Sequence, residues 1–175
     1  IDFCGAYHDW SKQMLVHFKY DQKFGEFNNH IENQWLVGAA ILFRVDALRS
    51  VGLLDEDYFA YFEDNDICAR LNAAGWKCRV VSDCYFSHDN PKERPIYFYY
   101  LTSRNDFLFW VKNTPKGSSS LLKLRLIDRA LYRAEKLSQS GSQDKANACL
   151  LGCLDGLLGC MGKPLLDRSI PWYII

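Results

Sequence analysis

Three things are missing from this chain of 175 residues. The first is a cysteine pattern. Seven cysteines lie at 4, 68, 78, 84, 149, 153 and 160, an odd number with no pair spaced C-x-x-C. That excludes a closed disulfide framework and the usual zinc-knuckle or dithiol spacing. Cys149 and Cys153, four apart, would share a helix face and are the nearest approach to a ligand pair. Small buried thiols in a reducing compartment fit the pattern better, which makes a cytoplasmic protein the expectation. The second absence is charge of one sign: 21 basic residues balance 21 acidic ones. A nucleic-acid binder that relies on phosphate attraction is excluded by that balance. The third is a long apolar run. The longest, WLVGAAILF at 35–43, suits a buried strand and is far short of the ~20 residues that span a bilayer. No signal peptide, internal repeat or Gly-rich strand-to-helix turn occurs. The chain also has no initial Met and begins in mid-pattern with IDFCG, so a piece of something longer is expected.

What is present is concentrated at 54–66, LDEDYFAYFEDND. Six carboxylates (Asp55, Glu56, Asp57, Glu63, Asp64, Asp66) fall there with no basic residue among them. Tyr58, Phe59, Tyr61 and Phe62 separate the two acidic groups. Like charges repel and burial penalises each one, so such a stretch suits a site that meets a cation, a hydroxyl proton, or both. A plainer role competes with this. Ile67, Leu71 and Ala74 recur at helical spacing and Gly75 would stop the helix, so Glu63, Asp64 and Asp66 would sit at a helix N-terminus, where carboxylates cap free amides. Capping explains one or two acids, not six.

The remaining pattern is α/β. Residues 1–34 read as loop, 35–44 as a buried strand and 45–52 as a short helix closed by Gly52. After the acidic stretch come a helix to about Ala74, a strand at 76–81 and a second short strand at 84–88. From Pro95 onward the pattern is helical: 96–113, 119–138 and 144–161, joined at 117–120 and 138–143. Two parts are expected, 1–94 and a helical extension at 95–175.

Residues 38–88 are the specific part. GAAILFRVDALRSVGLLDEDYFAYFEDNDICARLNAAGWKCRVVSDCYFSH resembles the second half of a family 2 glycosyltransferase of the GT-A fold, in its rhamnosyltransferase-like branch. The shared features, in order, are Gly-Ala before an Arg, a short helix ending in Gly, an Asp-Glu pair, aromatics and an Asp-rich motif. Arg70-Leu71, Gly-Trp, a strand and a His follow. Further on, YYLTSRNDFLFWVKN resembles the family's Arg-Asn helix, here Arg104 and Asn105, and CLDGLLGCMGKP its closing helix. The resemblance covers about 35–163. The family's N-terminal half, with nucleotide-binding βαβ units and an Asp-x-Asp metal motif, has no counterpart. Asp55-Glu56-Asp57 belongs by position to the later motif.

The resemblance implies an inverting transferase that moves a sugar from a nucleotide-sugar donor to a glycan or lipid-linked acceptor, in cell-surface polysaccharide synthesis. Asp64 would be the base that takes the acceptor proton. Glu63 and Asp66 would orient the acceptor or its loop. Mg2+ or Mn2+ in the complete enzyme would balance the leaving diphosphate, with His88 as a ligand. Several residues carry two readings each. Trp35 could stack on a sugar or serve as core, and Gly38 could admit the acceptor or fit a crowded strand. Arg104 could reach a phosphate or pair internally, and His88 could be an ordinary loop His beside Asp89. His8, His17 and His30 show no ligand spacing and receive no role. Residues 121–136 carry five basic and two acidic side chains, a net of +3. They read either as a core-packing helix with a solvated basic face or as an interfacial helix making peripheral contact with an anionic membrane. A non-catalytic carbohydrate- or partner-binding module of the same fold is the alternative of another class. An acidic cation site of purely structural purpose is the third reading.

Overall fold

The computed structural model describes residues 5–17, 31–33, 35–81, 84, 86–89, 91–115 and 121–164. The architecture is mixed α/β and mostly helical, with two two-stranded antiparallel sheets. Two compact units result, one from segments 1–54 and 63–90, the other from 55–62 and 91–175.

The first unit opens with a hairpin. Strands β1 (Ala6–Asp9) and β2 (Met14–His17) pair antiparallel, with Ala6 opposite His17 and Asp9 opposite Met14. Asp9 fixes the turn: its Oδ1 accepts from the amides of Ser11 and Lys12, both at 3.1 Å. Ala6 and His8 point into the core while Tyr7 faces out, so a period of two lies in a stretch expected to be loop. Strand β3 (Ile31–Asn33) pairs with β4 (Cys78–Val80). Cys4 and His30 lie outside the described residues.

The run at 35–44 is not a buried strand. Trp35 makes a single bridge to Ala6, and Gly38–Ala40 then form a 3-10 turn. A fully apolar strand needs cover on both faces. Here Trp35 is buried, but Gly38, Ala39 and Ala40 are exposed and Leu42 is 99% exposed. The amide of Gly38 goes to a side chain instead of a neighbouring strand. Helix α1 (Val45–Val51) ends as expected at Gly52, φ +84°, a region glycine enters without steric cost. Helix α2 (Glu63–Ala73) places Ile67, Cys68 and Leu71 against Ala6, Trp35, Ala47 and Cys78 in one core. Cys68 and Cys78 face each other as free thiols; the hydrogen bond between them and burial push the Cys68 thiol up, and the same bond pulls Cys78 down. Cys84 and residues 86–88 do not form the second short strand; Tyr85 lies outside the described residues.

Among its described residues the second unit has a 3-10 turn at Glu56–Tyr58 and three α-helices: α3 (Ile96–Asn113), α4 (Leu122–Gln139) and α5 (Gln143–Leu158). The first matches the expected bounds, and the last stops at Gly159, φ +74°, two residues before the expected end. The connection at 117–120 lies outside the described residues. Helices α3 and α5 touch backbone to backbone: a Cβ on Gly152 would stand 2.1 Å from the Tyr100 carbonyl oxygen, and one on Gly156 2.9 Å from that of Arg104. No side chain larger than hydrogen fits there. Tyr100 also donates its hydroxyl to buried Asp155 at 2.5 Å, across the same crossing.

Helix α4 buries Leu122, Leu126, Ala130 and Ala134, one residue every four, and leaves Leu121, Leu124 and Leu131 exposed. Its basic face is not wholly solvated. Nη1 of Arg129 donates to both carboxylate oxygens of Asp106 of α3, at 3.0 and 2.9 Å, and Trp110 donates to the same carboxylate at 2.9 Å. One of the five positive charges counted for a membrane surface is therefore spent inside the unit.

Candidate functional site

The site is built where the start of α2 meets the Gly38 turn. Oδ2 of Asp64 accepts the Gly38 amide at 2.8 Å. Oδ1 accepts two bonds from Asn65, one from its amide at 2.8 Å and one from its side-chain nitrogen at 3.0 Å. The second of these residues links onward: Oδ1 of Asn65 lies 3.3 Å from Nε2 of His8. Three residues, Gly38 and Asn65 directly and His8 through Asn65, thus hold one half-buried carboxylate in a single orientation. A carboxylate has about four acceptor positions. Among the described residues three are filled, which leaves one on Oδ2.

Asp64 and Gly38 were both expected at the site, and the structure brings them together. Their relation differs from either reading of Gly38: the glycine orients the acid through its N–H. A Cβ there would meet Oδ2 at 3.4 Å, an ordinary van der Waals contact, so alanine fits and it is the N–H that matters. Capping is part of the arrangement too, since Asp64 takes a free amide at the start of α2.

Two expected contributors are placed elsewhere. Asp66 is 0% exposed and pairs with Nε of Arg70 at 2.7 Å. Arg70 in turn donates to the carbonyls of Val51 at 2.6 Å and Leu53 at 2.7 Å, which ties the end of α1 to α2. Asp66 is thus engaged, through Arg70, with the segment that leads into the acidic stretch. Trp35 is buried in the core beside Ala6, with the ring of His17 set edge-on at 5.3 Å. A sugar cannot stack on it there. Glu63 is half-buried at the first position of α2.

His88 is exposed, with the Phe86 ring 6.4 Å away. Among the described residues no group of three or more His, Cys, Asp or Glu side chains gathers in a way that could hold a metal ion. The residues described here thus do not fit a Mg2+ or Mn2+ site by themselves.

In the second unit the aromatic part of the acidic stretch, 55–62, is bent back on itself. Phe59, Tyr61 and Phe62 have φ of 60°, 67° and 73°, a region that costs a bulky residue about 1–3 kcal/mol and persists only when its surroundings hold it. Two adjacent residues of α3 do the holding. Nδ2 of Asn105 meets the carbonyls of Tyr58, Ala60 and Tyr61 at 2.9, 2.8 and 2.7 Å. Arg104, 0% exposed, donates to the carbonyls of Gly162 at 2.6 Å, Asp57 at 3.1 Å and Tyr58 at 2.9 Å. A phosphate would have to displace these carbonyls to reach it. The result is an open groove of about 510 Å³ lined by Glu56, Asp57, Phe59, Gly162 and Lys163, with Phe59 exposed.

His8 and Asn65 escaped the sequence reading. His8 is 3% exposed, and burial pulls its imidazole down to about 4, against a smaller upward effect of the Asn65 bond, so it is neutral at pH 7. The available signal was local: an alternating AYHD before a turn-forming DWSK segment.

Comparison with known proteins supplies one kind of relative. Two proteins named N-acetylglucosaminyl-diphospho-decaprenol L-rhamnosyltransferase, from Mycobacterium tuberculosis strains CDC 1551 / Oshkosh and ATCC 25618 / H37Rv, are each 50% identical to this chain over 54 residues. The matched segment is 31% of this chain and spans only 18% of the length of either relative. No family model matches the chain, and no solved structure matches it. A segment of this protein is therefore similar to a segment of a glycosyltransferase. Among the described residues no helix is long and apolar enough to cross a membrane.

Proposed function

We propose that this chain is the acceptor-side part of an inverting glycosyltransferase of the GT-A type, family 2 and rhamnosyltransferase-like. It would act on a nucleotide-sugar donor and a glycan or lipid-linked acceptor. The observation that carries the reading is the Asp64 carboxylate, fixed by Gly38 and Asn65 with one acceptor position left on Oδ2. The partial identity to the two rhamnosyltransferases supports the same class.

The chemistry needs one proton acceptor. As the acceptor hydroxyl oxygen forms its bond to the anomeric carbon, the bond from that carbon to the donor phosphate breaks and the nucleoside diphosphate leaves. The hydroxyl proton passes to Oδ2 of Asp64. A base held in one rotamer spends nothing on reorganisation at that moment. The three donors on Asp64 supply that constraint, and general base catalysis of this kind contributes about 10²–10⁴ in rate. The proton step is complete without a cation, and none is invoked for it.

A transfer assay tests the class. The protein that carries this chain is given a nucleotide-linked L-rhamnose and N-acetylglucosaminyl-diphospho-decaprenol, and the anomeric configuration of the product is read by NMR. The expected result is a glycosidic product of inverted configuration. A product of retained configuration, or no transfer from any nucleotide-sugar offered, contradicts the proposal.

A further inference from the structure

Asp64 is oriented by Asn65, and Asn65 has a choice to make. Its side-chain amide can point its nitrogen or its oxygen at the Asp64 carboxylate, and only the nitrogen donates. In the orientation seen, Nδ2 meets Oδ1 of Asp64 at 3.0 Å and the amide oxygen is turned toward Nε2 of His8 at 3.3 Å. The opposite orientation would set oxygen against carboxylate and leave the bond lost. The group across the amide decides between the two. An imidazole that carries its proton on Nε2 rewards the productive orientation, and one that carries it on Nδ1 rewards the reverse.

We propose that His8 is a positioning residue for the Asp64 carboxylate: its Nε2–H locks the Asn65 amide in the orientation that donates to Asp64. The proposal rests on the reading of Asp64 as the functional acid. His8 is well placed for the task. It sits in β1, where the hairpin and the Trp35 bridge to Ala6 fix the backbone. The rings of Trp10 and Trp35 lie 5.0 and 6.4 Å from its own. That confinement holds the ring plane, and burial keeps the imidazole neutral at pH 7, so it carries one N–H, on Nε2 or on Nδ1. Asp64, two bonds away, is half-buried and open to substrate, whereas His8 is shut off from it. His8 therefore reaches Asp64 through Asn65.

The amide of Gly38 reports the state of the carboxylate without any need for catalysis, because it donates to Asp64 Oδ2 at 2.8 Å. Hydrogen exchange of that amide is measured by NMR on the 175-residue chain, with the Leu71 amide in mid-α2 as a reference for global opening. His8→Phe removes the donor, and Gly38 exchange is expected to rise about three-fold or more while Leu71 is unchanged. His8→Gln keeps an N–H donor and is expected to restore protection. Unchanged Gly38 exchange in His8→Phe overturns the proposal, and so does a rise in His8→Gln equal to that in His8→Phe. A long-range proton–nitrogen spectrum of the unmutated chain at pH 7 gives an answer even if His8→Phe does not fold. Protonation of His8 at Nε2 is expected, and at Nδ1 contradicts the inference. None of these readouts uses turnover, so their failure is separable from failure of the transferase reading, which Asp64→Asn decides.

Discussion

The guanidinium of Arg104 ends on main-chain carbonyls and the side-chain oxygen of Asn105, with no carboxylate among its hydrogen-bond partners. A buried cation in that position is held by geometry: a planar fork reaches 57, 58 and 162 at once, which a single ammonium cannot do. Removing it as Arg104→Leu strips four charge-assisted bonds, and urea unfolding should show a loss of about 3 kcal/mol or more. Arg104→Lys should recover only part of that loss. Equal stability of Arg104→Lys and the unmutated chain would show that the fork does not matter. His8 makes a prediction of another kind. Its folded value, about 4, lies below the ordinary 6.5, because burial disfavours the cation. Between pH 6.5 and 4 the unfolded chain binds a proton at this site and the folded chain does not. Stability from His8 is thus complete above pH 6.5 and falls as the pH drops through that window, by at most about 3 kcal/mol. Urea unfolding at pH 7 and pH 4.5 should show a larger acid loss for the unmutated chain than for His8→Gln, which does not titrate. Equal losses would mean that the imidazole is not kept neutral by the fold.

Elements were legible in proportion to their periodicity. Helix α3 keeps its expected bounds, and α1 and α2 end at the glycines where they should, because helical spacing and a left-handed stop are both local signals. The run at 35–44 was misread for a physical reason. Apolar composition says that burial is favourable, not that it is available, and Leu42 finds none. The hairpin of β1 and β2 was missed because its strands are four residues long and its turn carries no Asn-Gly or Asp-Gly signature. The α3–α5 crossing was invisible in the sequence, since glycine inside a helix reads as a mere cost in propensity. Its purpose emerges only at the contact, where Gly152 lets α5 lie against the Tyr100 carbonyl. Gly152→Ala gains helix propensity, yet it should destabilise the chain by about 1–3 kcal/mol or more, because the obstructing atom is backbone and cannot rotate away. A rise in melting temperature for Gly152→Ala would show that the helices do not approach so closely.

Across the whole molecule, the acidic stretch that looked like one motif divides between two units. Asp55, Glu56 and Asp57 belong to the helical one, and Glu63, Asp64 and Asp66 to the one that contains the sheets. Asp64 and Gly38 are in contact, Glu63 begins the same helix, and Asp66 and Trp35 serve the core around them. Spacing along the chain revealed which residues were unusual but not which faced inward, because burial depends on partners far along the chain, 57 residues away between His8 and Asn65. The partial match to the two rhamnosyltransferases covers 54 residues, so the account rests on Asp64 more than on kinship. The most direct measurement is the turnover of Asp64→Asn in the protein that carries this chain, set beside its affinity for the nucleotide-sugar donor. Asparagine keeps the shape and most of the local bonding but cannot take a proton at that oxygen. The account predicts a fall in turnover of about 100-fold or more with donor affinity nearly unchanged. Turnover close to that of the unmutated protein would remove Asp64 from the mechanism.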